Sequence, residues 1–261
     1  EPAASAMTLL SAEGIEAGIG KRVVCRDLNL SLEPGVVWSI LGRNGIGKTT
    51  LLLTLAGLRP LKRGHIRLGR NSLDQLTRRS RAQKIGLLFQ NPEIQFPTTV
   101  NETVMNGRHP WIQRWRDSSE HDQSIVEREL NRVGLQDFGS RDLSSLSGGE
   151  RRRVELAALA AQETELVFMD EPVNHLDLHF QTQLLKEFLA ECRAKARAVV
   201  MVMHDVNLAT RFSDHLLLLY GEGETRQGPV ELIANEENLS RLYQHQLHRY
   251  QAGDTYFFYP A

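Results

Sequence analysis

Apolar residues in this chain repeat with a period of two in some stretches and about 3.6 in others, and the switch between them marks out its elements. In 24–32, Leu28, Leu30 and Leu32 alternate with Asp27, Asn29 and Ser31, which predicts a strand with one wet face. Glu33-Pro34-Gly35 is a turn, and 36–41 is nearly all apolar, as suits a strand buried on both faces of a parallel sheet. A helix over 50–56 meets the stop signals Gly57 and Pro60. A short strand over 65–68, a polar, arginine-rich helix over 72–83 and a buried strand over 85–89 follow, and the last ends at Gln90.

From 91 to 161 the strand-like runs disappear. Residues 99–106 read as a helix ended by Gly107, and 119–133 as a second closed by Gly134, so this segment is a helical insert. Strands resume at 166–169, 198–203 and 216–220. The helix between the first two, 178–194, carries Leu184, Leu185, Phe188, Leu189 and Cys192 on one broad core-facing stripe. The tail predicts a helix over 235–248 and an aromatic strand over 256–259. Alternating strands and helices make this an α/β chain with a doubly wound, mostly parallel sheet. The expected division is a core of 7–90 plus 162–228, a helical subdomain of 91–161 and an extension of 229–261.

Length and charge narrow the partners. At 261 residues the chain buries a sizeable core without disulfide staples, and Cys25 and Cys192 have no metal or redox spacing, which fits a reducing cytoplasm. Lys+Arg 31 against Asp+Glu 32 leaves a net charge of −1, so no nucleic-acid partner is expected. The longest apolar runs, 199–203 and 216–220, fall far short of the ~18 residues that suggest a membrane span. Residues 1–6 have neither a basic nor an apolar region and read as a cloning remnant rather than a signal peptide.

The chemistry centres on Gly42-Arg43-Asn44-Gly45-Ile46-Gly47-Lys48-Thr49, a full G-x-x-x-x-G-K-[ST] phosphate loop between an apolar strand and a helix. Glycines let the backbone turn its N–H groups onto the β-phosphate, and the helix N-terminus adds its positive end. Lys48 is placed for the β- and γ-phosphates, and the Thr49 hydroxyl for Mg²⁺. The strand 166–169 ends in Asp170-Glu171, at the edge where open α/β sheets bind ligands. Asp170 is the second metal-holding acid, and Glu171 the acceptor of a proton from the attacking water.

Leu146-Ser147-Gly148-Gly149-Glu150, between those two motifs, resembles the signature motif of ABC-type ATPases. Gln90 looks like that family's Q-loop, 173–177 like its D-loop and His204 like its switch histidine, in the expected order. The resemblance implies a P-loop NTPase core, an N-terminal antiparallel β subdomain, a helical subdomain bearing the signature, and two ATP molecules sandwiched head to tail between two copies. It implies that Gly42, Asn44, Gly45, Gly47, Lys48, Thr49 and Thr50 cradle the nucleotide, with Thr49, Gln90 and Asp170 at Mg²⁺. Glu171, His204 and Gln90 would be catalytic, Ser147 and Gly149 would bind nucleotide across the dimer, and Gly148 and Asp177 would also bind nucleotide. The sequence departs from the family at three places. No aromatic lies between Met7 and Val37 to stack on adenine, leaving Ile19 or Arg22; Val173 replaces a small polar residue, and Arg152 a frequent Gln.

A single nucleotide-binding domain resembles the separate ATPase subunits of bacterial importers, peripheral on the cytoplasmic face of the inner membrane. These work with integral permease subunits and, indirectly, a periplasmic or surface substrate-binding protein. The segments 107–111, 204–209 and 228–258 look most like subunits serving iron-siderophore, haem and cobalamin uptake. Gln90-Asn91-Pro92-Glu93-Ile94-Gln95 instead resembles energy-coupling-type cobalt, nickel and vitamin transporters, and soluble ABC-type ATPases acting on nucleic acid or ribosomes are a third class. Ile94, Phe96, Trp111, Ile112 and Trp115 are expected to line a groove for a short helix of the membrane subunit.

Overall fold

The computed structural model describes residues 8–90, 97–112, 119–174, 176, 178–253 and 255–261. The chain begins with β1 (Leu10–Ile19), β2 (Arg22–Leu32), β3 (Val37–Gly42), α1 (Lys48–Leu55), β4 (Arg63–Leu68) and β5 (Asn71–Ser72). Next come α2 (Arg78–Ala82), β6 (Ile85–Leu88), α3 (Val100–Asn106), α4 (Glu120–Arg132), α5 (Gly148–Ala161) and β7 (Leu166–Asp170). Then follow α6 (Leu178–Ala194), β8 (Ala198–Val202), α7 (Val206–Phe212), β9 (His215–Gly221) and β10 (Glu224–Pro229). The tail adds α8 (Val230–Ile233), α9 (Glu236–Tyr243), β11 (Leu247–Ala252) and β12 (Thr255–Pro260).

The main sheet has six strands in the order β10-β9-β3-β8-β7-β6, all parallel except the antiparallel edge β10. Its central strands are buried on both faces, as their apolar runs predict. Phe168 and Val200 join one core with Leu51, Leu52 and Leu55 of α1, while Val167, Met169, Val199 and Met201 join the other with Leu185 and Leu189 of α6. Strands β2-β1-β4-β5 form a separate antiparallel sheet that closes the first core. A third core holds the helical subdomain, in which Val100, Val104, Ile125, Leu130 and Val154 meet.

Two sequence expectations need correction. The helix over 72–83 is instead β5, one tight turn at Leu73–Gln75 and the five-residue α2, capped by the Thr77 side chain accepting from Ser80 N–H. Residues 72–83 lack an apolar stripe to hold a longer helix. The helix over 235–248 stops at Tyr243, where Gln244 takes a left-handed φ of 54°, and the chain turns into β11. There Leu247 pairs with Pro260, so the aromatic strand expected over 256–259 has a partner that helical periodicity had hidden.

Candidate functional site

The β3 strand delivers the phosphate loop at the C-terminal edge of the sheet, next to the ends of β7 and β8. Gly47 has φ 115°, and a Cβ there would stand 2.4 Å from Val24 Cγ2, so both conformation and close approach to β2 require glycine. No side chain caps the first turn of α1, and no acid lies in it, which leaves its N–H groups and positive end directed at the loop. Lys48 is buried. Its ammonium donates to the carbonyl oxygens of Gly42 at 2.8 Å and Arg43 at 3.3 Å, and burial lowers its pKa against the pull of Glu171 and Asp170.

The acids lie behind the loop. Thr49 Oγ1 donates to Asp170 Oδ2 at 2.8 Å, whereas Asp170 Oδ1 is buried without a hydrogen-bond partner. Burial raises the Asp170 pKa, and neighbouring Glu171 adds to the rise. Glu171 leaves the strand with φ 50°, a left-handed conformation rare for a non-glycine residue, and its N–H donates to the Val202 carbonyl at 3.1 Å. Its carboxylate is the meeting point of three elements. Oε2 accepts from Gln90 Nε2 at 2.6 Å and from Asn174 Nδ2, and Oε1 is hydrogen-bonded to His204 Nε2.

Ile19, Arg22, Val24, Asn44, Gly45, Gly47, Lys48, Thr49, Thr50, Gln90, Glu171 and His204 line one open cavity of ≈ 420 Å³, within the usual size range of ligand sites. The groups expected to hold phosphate, metal and water therefore converge in one chain. Ile19 and Arg22, the two residues left to face the base in the absence of an aromatic, both line this cavity.

The signature residues do not join that cavity. Ser147 and Gly148 are exposed at the start of α5, where the Ser147 hydroxyl accepts from Glu150 N–H at 3.3 Å and Glu150 Oε2 accepts from Ser147 N–H at 2.8 Å. This capping box orients the turn, and a Cβ at Gly148 would meet nothing within 4 Å. Asp177 lies outside the described residues, as do Ile94, Phe96 and Trp115. Trp111 is 40% exposed, but its ring N–H donates to the Gln162 carbonyl at 2.8 Å, which ties it to the end of α5.

Sequence reasoning overlooked what Arg152 does. This buried guanidinium donates to the carbonyl oxygens of Pro172 at 2.7 Å, Glu171 at 2.9 Å and Phe89 at 3.0 Å, and pairs with Glu155 at 2.6 Å. It thereby ties the signature helix to the strand ends bearing Gln90 and Glu171. The available signal was slight: Arg152 stands between Arg151 and Arg153, and only Leu156 and Leu159, one and two turns on, mark its side of the helix as inward-facing.

A parallel sheet with a phosphate loop at one strand end and paired acids at the next but one defines a P-loop nucleoside triphosphatase. The ABC transporter family model matches residues 25–174, and the chain belongs to that family, as an ATP-binding, ATP-hydrolysing protein. It is 34% identical over 238 residues to the ferric enterobactin transport ATP-binding protein of Escherichia coli, covering 90% of this chain and 86% of that one. Similarity to the hemin import ATP-binding protein of Rhodococcus jostii is 34% identity over 245 residues, with 94% and 82% covered. The iron(3+)-hydroxamate import ATP-binding protein of Bacillus subtilis is 32% identical over 238 residues, with 91% and 88% covered. Among solved structures, a metal-chelate type ABC transporter in an inward-facing conformation superposes with a TM-score of 0.85 at 26% identity, covering 97% of this chain and 98% of that one.

Proposed function

We propose that this chain is the ATPase of a bacterial importer for a metal chelate such as iron-siderophore, haem or cobalamin, peripheral on the cytoplasmic face of the inner membrane. It binds integral permease subunits and, through them, serves a periplasmic or surface substrate-binding protein. The observation that carries the reading is the split of the site: the loop and catalytic groups share one cavity, and the signature turn is exposed elsewhere on the same chain. Two copies placed head to tail bring each turn onto the other's phosphate loop and sandwich two ATP.

In the site, Lys48 exchanges its loop carbonyls for the β- and γ-phosphates, and the N–H groups of the loop and of α1 bind the β-phosphate. The unpartnered Asp170 oxygen, the adjacent Thr49 hydroxyl and the Gln90 amide are a hard oxygen set that fits Mg²⁺. An Mg²⁺ ion held by these groups would supply charge neutralisation at the phosphates. Glu171 accepts the proton of the attacking water, His204 contacts the γ-phosphate, and Gln90 reports its presence. Ser147, Gly148, Gly149 and Asp177 complete the partner's site.

The permease reading is supported by a groove of ≈ 400 Å³ lined by Asn101, Glu102, Met105, Ile112, Val126 and Glu127, which includes one of the residues expected to receive a short helix, Ile112. Iron-chelate import by the relatives favours that solute class here. The test is uptake of radiolabelled ferric siderophore, haem and cobalamin by cells lacking the chain. Uptake of one of them is expected to disappear, to return with the wild-type chain and not with Glu171→Gln. Normal uptake of all three in the deletion strain contradicts the import assignment.

A further inference from the structure

No described residue of 229–261 lines the nucleotide cavity, although Gln244 accepts from Arg43 of the phosphate loop, and one of the segment's strands is held by a side chain three residues after the switch histidine. We propose that Asn207 is a positioning residue for His204, and that the C-terminal hairpin β11–β12 is the fixed body against which it works. The proposal rests on the reading of His204 as a γ-phosphate contact.

The geometry begins with the hairpin's register. Arg249 and Phe258 face each other, and their backbone groups point away from the partner strand: Arg249 N–H goes to Glu236 Oε1 at 2.6 Å, and Phe258 N–H to Asn207 Oδ1 at 2.7 Å. This is the non-hydrogen-bonded type of antiparallel pair, so β12 offers one N–H and one C=O at its outer edge. Asn207 takes both, because its Nδ2 also donates to the Phe258 carbonyl at 3.1 Å. The carboxamide stands in for one residue of a neighbouring strand, and the two bonds fix which atom is oxygen and which is nitrogen.

The hairpin is itself anchored. Leu247 and Phe258 are buried in the same core as Met203, Leu208, Leu239 and Leu242, so the strand that Asn207 grips is part of the packed molecule. At the other end, α7 is only seven residues long, too short to hold its direction unaided. Asp205 caps it, accepting from the N–H groups of Asn207 at 2.7 Å and Leu208 at 3.0 Å. A rigid path therefore runs from the hairpin through Asn207 and the Asp205 cap to His204, whose ring is hydrogen-bonded to Glu171. Release of Asn207 lets α7 and the histidine drift, and a misplacement of ~1 Å costs up to ~10²-fold in rate.

The test is steady-state ATPase of the full chain assembled with its membrane subunits, for wild type, Asn207→Ala, Asn207→Asp, His204→Ala and the His204→Ala/Asn207→Ala double variant. Asn207→Ala is expected to lower kcat about tenfold with KM for ATP within about twofold. In the His204→Ala background the same substitution is expected to cost nothing further, since it acts through the missing ring. The Asp variant gives an independent readout. Its carboxylate cannot donate to the Phe258 carbonyl, whereas its protonated form can, so its kcat relative to wild type should rise as pH is lowered through the carboxyl's titration. Multiplicative losses in the double variant, or a ratio for Asn207→Asp that is flat with pH, overturn the positioning role. Wild-type kcat in His204→Ala overturns the histidine reading beneath it, which is a separate result from an impaired His204→Ala with unaffected Asn207 variants.

Discussion

Asp170 and Lys48 hold their charges at a cost, since burial is the largest influence on each and disfavours the ionised form of both. A carboxyl whose pKa is raised in the folded chain binds its proton more tightly there, so Asp170 subtracts stability as pH rises above its unfolded value of ~3.9. The Asp170→Asn variant should therefore melt higher without nucleotide, by ~2–4 °C for each kcal/mol relieved, while losing ATPase activity. Differential scanning calorimetry beside a phosphate-release assay checks both signs; a lower melting temperature contradicts the burial argument. Ile19 and Arg22 line the same cavity and offer no aromatic face to the base, so the triphosphate should supply most of the binding. GTP should compete with ATP within about tenfold, or ~1.4 kcal/mol, in a competition titration, and Ile19→Tyr should tighten ATP. A native preference for ATP above about a hundredfold would show that another residue reads the base. Most groups of the cavity were legible as residues, because phosphate chemistry demands fixed types at fixed spacings. Arg152 and Asn207 were not, since what each does depends on carbonyls 18 to 63 and 51 residues away in the chain.

Among the elements, the helical subdomain is joined to the core by charge as well as by Arg152. Arg132 of α4 pairs with Glu129 at 3.3 Å and with Glu191 of α6, which also takes Lys195 at 2.5 Å. Arg108 pairs with Asp122 at 2.9 Å and Glu163 at 3.0 Å. Burial pushes the pKa values of Asp122, Glu163 and Glu191 up, but hydrogen bonds and charge from the facing Arg and Lys groups outweigh it and hold all three low. Carboxylates depressed in this way contribute stability that is fully present above their unfolded values of ~4 and is lost as pH falls through the folded ones. Hydrogen exchange followed from neutral to acid pH should show α3 and α4 losing protection before β3 and β8; simultaneous loss in all four elements would contradict a separately held arm. Sequence periodicity identified α4 and α6 because each has an apolar stripe. It missed β1, whose residues alternate weakly around Gly14 and Gly18, and it misread the tail, where an amphipathic helix and an alternating strand adjoin without a glycine or proline to part them.

At the scale of the whole molecule, the phosphate-loop cavity and the signature turn lie apart on the chain, and in the proposed dimer they become two halves of one reaction site. The cavity gathers Lys48, Thr49, Gln90, Glu171 and His204, and the Ser147 turn is exposed at the N-terminus of its helix. No helix among the described residues is long and apolar enough to cross a membrane. In the proposed dimer, ATP-driven closure of two copies would supply the differential contact that coupling to a permease needs. The most direct measurement is the molar mass of purified Glu171→Gln by light scattering, with and without ATP and Mg²⁺, beside its turnover. The account predicts ATP binding near the wild-type level, hydrolysis reduced by about 10²–10⁴-fold, and an ATP-dependent dimer holding two nucleotides, because closure is no longer reversed by hydrolysis. A variant that turns over ATP at the wild-type rate, or that binds ATP tightly and stays a monomer, would contradict it.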